Sequence, residues 1–286
     1  MTAAALLADA AATLAAAGVE APEWDAERLL RHVLGWDRAT LIASPGHAVP
    51  EPEAERFRAL VQRRASREPL QYILGTQAFW KHEFLVTPAV LIPRPETELL
   101  VETSLELLKD VERPLIVDVG TGSGCIALSL AFERPDAEVH ATDISEPALE
   151  VARENARRLG LECRVAFHHG NLLEPVAHLA GRIALVVSNP PYVDPSERES
   201  LAPEVRDHEP DTALFWRGGA LETYGVLVPA AAAALSAGGW LALELGRGLA
   251  EGVARISSAA GLTQLQLVPD VQDLPRVLIA RRRPSQ

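Results

Sequence analysis

A strand, a glycine-rich loop and a helix run together without a break in the middle of this chain. Leu115-Ile116-Val117-Asp118-Val119 is an apolar run of strand length. Gly120-Thr121-Gly122-Ser123-Gly124 forms a tight turn, and Cys125 to Ala131 resumes with a helical pattern. From position 96 onward strands and helices keep alternating, which demands a parallel sheet with helices on both faces. Ser145 is placed to cap a helix from Glu146 to Leu159, with Pro147 in its first turn and Gly160 just past its end. The last two strands, 263–268 and 276–280, have only a short connection, as in an antiparallel pair at a sheet edge. The fold class is α/β and Rossmann-like.

The glycine loop admits three kinds of ligand. A dinucleotide site wants glycine at the sixth loop position, where Cys125 stands. A phosphate loop wants a lysine near its end, and none is present. S-adenosylmethionine needs only a tight turn and a ribose partner, and it fits best. Asp143 ends the next strand, 23 positions after Gly120, and supplies that partner. Gly120, Thr121, Gly122, Ser123, Gly124 and Asp143 are therefore the candidate cofactor residues. Asp118, inside the strand, reads as an organiser of the loop near the cofactor amine.

A second apolar run, Ile183 to Ser188, ends abruptly in Asn189-Pro190-Pro191-Tyr192. Two consecutive prolines cannot continue a strand. The chain must leave the sheet there, at the strand end where open α/β sheets bind ligands. Asn189 offers a side-chain oxygen, Pro190 a carbonyl and Tyr192 a flat face. Two acceptors and a ring suit a planar amide or amine, so Asn189, Pro190 and Tyr192 are the candidate catalytic residues. The plainer alternative is a proline-rich turn opened by an asparagine.

These segments resemble a family. Val117 to Gly124, Asn189 to Tyr192 and Leu91-Ile92-Pro93-Arg94-Pro95-Glu96-Thr97-Glu98 are similar to the HemK-type glutamine methyltransferases that modify peptide chain release factors. Asp207 to Leu214 and Leu221 to Tyr224 are similar too. The resemblance implies a class I S-adenosylmethionine-dependent methyltransferase with a small N-terminal helical bundle joined by a β-hairpin. It implies transfer to the side-chain nitrogen (N5) of the glutamine in a Gly-Gly-Gln motif. Asn189, Pro190, Pro191, Tyr192, Arg94 and Glu96 would then meet substrate, with Arg94 and Glu96 shaping their loop. Asn171 and Leu172 would lie near the adenine, with Asn189 also touching the cofactor. The family usually has an acidic residue where Asn171 stands. Two alternatives stay open: methylation of the exocyclic amine of adenine in nucleic acid, and methylation of a glutamine in a ribosomal protein.

A net charge of −12 argues against stable nucleic-acid binding, where Lys and Arg must neutralise phosphate. Only two cysteines, Cys125 and Cys163, point to a reducing compartment. No signal segment or membrane span is evident, so a cytoplasmic monomer is expected. His168-His169 lacks partners at ligand spacing, and no metal is expected. Residues 1–70 read as short helices forming a substrate-docking domain, 71–90 as a β-hairpin linker and 91–286 as the catalytic domain. The helix expected from Glu53 to Ser66 carries Arg56, Arg58, Arg63 and Arg64, with Arg67 just beyond. It is either a solvated face or a docking surface for an acidic partner.

Overall fold

The computed structural model describes residues 1–284, so the last two positions of the 91–286 span lie outside the described residues. It divides into two compact units. One comprises Met1–Thr76 together with Ala202–His208, the other Gln77–Leu201 and the described residues from Glu209 onward.

The first unit is helical. Its helices Ala3–Ala16, Pro22–Leu34, Arg38–Ala43, Glu51–Ala65 and Leu70–Leu74 enclose Leu6, Leu14, Leu29, Leu30, Phe57 and Val61. Local chemistry sets the ends. The Thr2 hydroxyl accepts from the Ala5 amide, Asp37 accepts from the Thr40 amide, and Gly35 closes a helix in the left-handed region. The arginine-bearing helix begins two residues earlier than expected, because Pro52 is tolerated in a first turn.

The sequence reading gave 202–208 to the catalytic span, but these residues pack in the helical unit. Helix Pro203–His208 carries Glu204, whose carboxylate takes two bonds from Arg67, at 2.8 and 2.7 Å, and one from Arg64 at 2.9 Å. Arg64 also donates to the buried Asp25 at 2.7 Å. Arg58 pairs with Glu51 and Arg63 with Glu68. Four of the five arginines singled out in the sequence therefore hold their own unit together.

β1 (Thr76–Phe79), in the second unit from Gln77 onward, and β2 (His82–Leu85) form the hairpin. The main sheet follows with β3 (Leu115–Val119), β4 (Glu138–Asp143), β5 (Val165–His169), β6 (Ile183–Ser188), β7 (Leu235–Glu244), β8 (Thr263–Pro269) and β9 (Pro275–Arg281). Its order is β5-β4-β3-β6-β7-β9-β8, with β9 antiparallel to both neighbours. All five residues of β3 are buried, as expected of a parallel strand covered on both faces. Ile116 packs into one layer with Leu100, Leu108 and Leu128. Leu115, Val117 and Val119 face a second layer with Tyr224, Leu227 and Val228.

The order reverses between β3 and β6. Chain order takes the sheet outward from β3 through β4 to β5, then returns to the far side of β3. This switch point places the loop after β3 beside the loop after β6. The Ser188 hydroxyl ties the two strand ends, donating to the Val119 carbonyl at 2.6 Å. Among the described residues no helix is long and apolar enough to cross a membrane.

Candidate active site

An open cavity, partly continuous with solvent, lies over these strand ends. Gly120, Thr121, Gly122 and Ser123 line it from β3, Asp143 from β4, and Asn189, Pro190 and Pro191 from β6. Asn171, Leu172, Arg94 and Thr97 also face it, as do Thr212, Trp216 and Thr223.

The glycine loop is fixed by backbone bonds. The Gly120 and Thr121 amides both donate to the Thr142 carbonyl, at 2.9 and 3.0 Å. The Gly122 amide donates to Asp143 Oδ2 at 2.9 Å, while Asp143 Oδ1 accepts from the Ser145 amide. Gly120 and Gly122 have φ of +72° and +56°, and a Cβ on either would project into open space. A ligand can thus lie against bare backbone. Gly124 is glycine for another reason. It has φ +81°, and a Cβ there would meet Leu128 Cδ1 at 3.0 Å and Ala152 Cβ at 3.2 Å. It packs the helix onto its neighbour and does not line the cavity. Asn155 supports the loop from below, donating to the Ser123 carbonyl at 2.9 Å while its oxygen accepts from the Leu85 amide. Sequence reasoning missed this residue, although asparagine is rare in the chain.

Two carboxyls beneath the loop are perturbed. Asp118 is fully buried, and burial pushes its carboxyl up to about 7. Its Oδ2 accepts from the Thr121 hydroxyl at 2.6 Å and the Ala127 amide at 3.2 Å. Burial also pushes Asp143 upward, against the backbone donors that favour its charged form.

Behind the second motif lies a polar chain that was not anticipated. Asn189 Nδ2 donates to the Thr97 hydroxyl oxygen at 3.2 Å, and the Thr97 hydroxyl donates to Glu244 Oε2 at 2.7 Å. The Tyr192 hydroxyl donates to Glu244 Oε1 at 3.1 Å. Tyr192 was expected to wall the pocket, but it is not among the lining residues. Its hydroxyl points inward, and a Cβ on Gly246 would strike its ring at 2.8 Å. Thr223 donates to the Pro191 carbonyl at 2.9 Å, fixing the proline pair. Arg94 binds Glu209 at 2.6 Å, whereas Glu96 is exposed and lies away from the cavity lining. Asn171 donates to Glu174, and Leu172 takes a positive φ of 47°. His168 stacks on His140 along the sheet, and the described residues hold no cluster of three or more possible metal ligands.

Residues 5–75 match the family model of the PrmC N-terminal domain, and residues 95–206 that of the methyltransferase small domain. The chain is 44% identical over 278 residues to the release factor glutamine methyltransferase of Moorella thermoacetica, covering 97% of each. It is 44% identical over 279 residues to that of Deinococcus radiodurans, again covering 97% of each. A methyltransferase structure from Pyrococcus furiosus superposes with a TM-score of 0.52 at 19% identity, over 78% of this chain and 98% of that one, and shares the fold.

Proposed function

The chain belongs to the release factor glutamine methyltransferase family, and we propose that its cavity carries a methyl group from S-adenosylmethionine to the side-chain amide nitrogen of the Gly-Gly-Gln glutamine of peptide chain release factors. One observation carries this reading. The glycine loop with Asp143 and the Asn189-Pro190 pair open into the same cavity from adjacent parallel strands.

The residues present suit the cofactor. Bare backbone at Gly120 and Gly122 and the Asp143 carboxylate stand where an amino-acid portion and a ribose need them. When bound, the cofactor supplies an electrophilic methyl group on a sulfonium sulfur. Gly120 to Ser123 would hold its amino-acid part, Asp143 its ribose, and Asn171 and Leu172 its adenine side.

A glutamine amide nitrogen is a poor nucleophile because its lone pair is delocalised into the carbonyl. The Asn189 side-chain oxygen and the Pro190 carbonyl accept its two N–H bonds. This fixes the direction of approach and favours localisation of the lone pair. It also stabilises the positive charge that develops on nitrogen. Orientation of this kind contributes up to roughly 7–11 kcal/mol in ideal cases. The proton leaves after transfer, so no strong base is needed. Tyr192 serves from behind, holding the end of the tetrapeptide through Glu244.

The helical unit is assigned the docking of the release-factor body, since the cavity can grip only a few residues. Arg56, exposed on helix Glu51–Ala65, is its steering charge. Arg56→Glu is expected to raise KM for the whole factor and leave a short Gly-Gly-Gln peptide unaffected. Equal effects on both would remove the docking role.

The site reading is tested by calorimetry and labelling. Asp143→Ala should weaken cofactor binding by about 1.5–3 kcal/mol, and methyl label should enter a release factor offered alongside DNA and RNA. Wild-type affinity in the variant, or label in nucleic acid, would overturn it.

A further inference from the structure

The reading above gives no chemical role to Thr97, within the Leu91 to Glu98 segment, or to Glu244, yet both are buried polar groups, 2% and 1% exposed. Their hydrogen bonds have a direction. A carboxylate only accepts, whereas a threonine hydroxyl has one hydrogen to give. Glu244 Oε2 takes that hydrogen at 2.7 Å. The Thr97 oxygen can then only accept from Asn189, which must turn its NH₂ end toward Thr97. The Asn189 oxygen is left for a donor in the cavity. Tyr192 fills the other oxygen of Glu244, and the Tyr224 hydroxyl donates to the Glu244 backbone carbonyl at 2.8 Å, pinning the end of β7.

We propose that Thr97 and Glu244 are positioning residues for methyl transfer: their buried relay decides which end of the Asn189 amide faces the substrate. The inference rests on the function proposed above. The two ends of an asparagine amide have nearly the same shape, so packing alone does not choose between them. With the relay broken, the amide can turn its NH₂ toward the substrate's own NH₂. One acceptor is then replaced by a clash of donors, at the atom whose alignment the reaction needs. Cofactor contacts from the loop after β3 are untouched by that turn.

Burial pushes the Glu244 carboxyl upward, and the nearby Glu96 adds to that push, while the donors Thr97 and Tyr192 and the charge of Arg276 on β9 favour its ionised form. Protonation of Glu244 would let it donate to Thr97, reversing the relay, so turnover should fall on the acid side.

The test uses the full-length protein, a release factor and S-adenosylmethionine. Thr97→Val keeps the shape and removes the hydroxyl, Thr97→Ser keeps the hydroxyl, and Glu244→Gln removes the obligate acceptor. Thr97→Val and Glu244→Gln should lower kcat by on the order of tenfold to a hundredfold. KM for the factor and cofactor affinity should stay within about threefold of wild type. Thr97→Ser should keep most of the wild-type kcat. Serine failing as badly as valine, or valine turning over like wild type, would overturn the proposal. Should Thr97→Val or Glu244→Gln prove unstable by thermal melting, the pH profiles of wild type and Thr97→Ser decide. An acid limb in kcat, absent from cofactor affinity, supports the relay; a flat profile contradicts it. Wild-type protein that leaves the glutamine unmethylated would instead sink the functional reading on which the relay depends.

Discussion

Replacing Glu204 by glutamine keeps the side-chain shape and removes one charge from the densest ion cluster of the helical unit. Burial pushes the Glu204 carboxyl upward, but the bonds from Arg67 and Arg64 outweigh it and hold the group at about 2, against an ordinary value of 4.5. That difference corresponds to a ceiling of roughly 3 kcal/mol. Water reaches the pair, since the Glu204 and Arg67 side chains are 18% and 26% exposed. Screening brings the expected loss at pH 7 to about 1–2 kcal/mol. The sign follows from a depressed carboxyl. The stabilisation is present in full above 4.5, the unfolded value, and is lost as pH falls through the folded value near 2. Two compact units need not unfold together, so the suitable assay is hydrogen exchange read by mass spectrometry over Glu51–Ala65. At pH 7 protection there should drop about 5- to 30-fold in Glu204→Gln. By pH 3 more than about half of the wild-type advantage should be gone. An unchanged deficit at both pH values, or none at pH 7, would refute the electrostatic account of why Ala202–His208 joins the helical unit.

Three further outcomes are expected. Gly124→Ala should lower Tm and weaken cofactor binding. Its left-handed φ costs about 1–2 kcal/mol for a residue with a Cβ, and that Cβ would press on Leu128 and Ala152; unchanged melting and calorimetry would contradict this. Asp118, pushed up to about 7 by burial, keeps a proton in the fold that the unfolded chain releases near 3.8. Stability should therefore fall as pH rises from about 4 to 7, by at most roughly 4 kcal/mol, and Asp118→Asn should flatten that slope in denaturant titrations. Gly246→Ala, whose Cβ would meet Tyr192 at 2.8 Å, should lower kcat more than cofactor affinity, and equal losses would mean a general disturbance.

The glycine loop, Asp143 and the tetrapeptide were legible because each is punctuation. Glycine at positive φ and paired prolines announce where strands stop, whatever the rest of the chain does. Their convergence was not legible from spacing. It depends on β6 lying beside β3, a matter of strand order that period-2 patterns do not encode. The same limit hid Glu244, which meets Thr97 across 147 residues and reads in sequence as the charged end of an apolar strand. The bond from Tyr192 to Glu244 was not legible either, because strand geometry no longer governs side-chain direction after two prolines. The arginines of Glu51–Ala65 looked like a surface. Arg64 meets Glu204, which arrives from 140 residues away on a helix too short to announce itself.

The central claim is that Asn189 and Pro190 present a glutamine amide nitrogen to the cofactor's methyl group. Tandem mass spectrometry of a release factor treated with the wild-type protein and with Asn189→Ala tests it most directly. Wild type should add one methyl group to the side-chain nitrogen of the Gly-Gly-Gln glutamine, and Asn189→Ala should add almost none while still binding S-adenosylmethionine. A methyl group on any other residue, or near wild-type transfer by Asn189→Ala at saturating substrate, would contradict it.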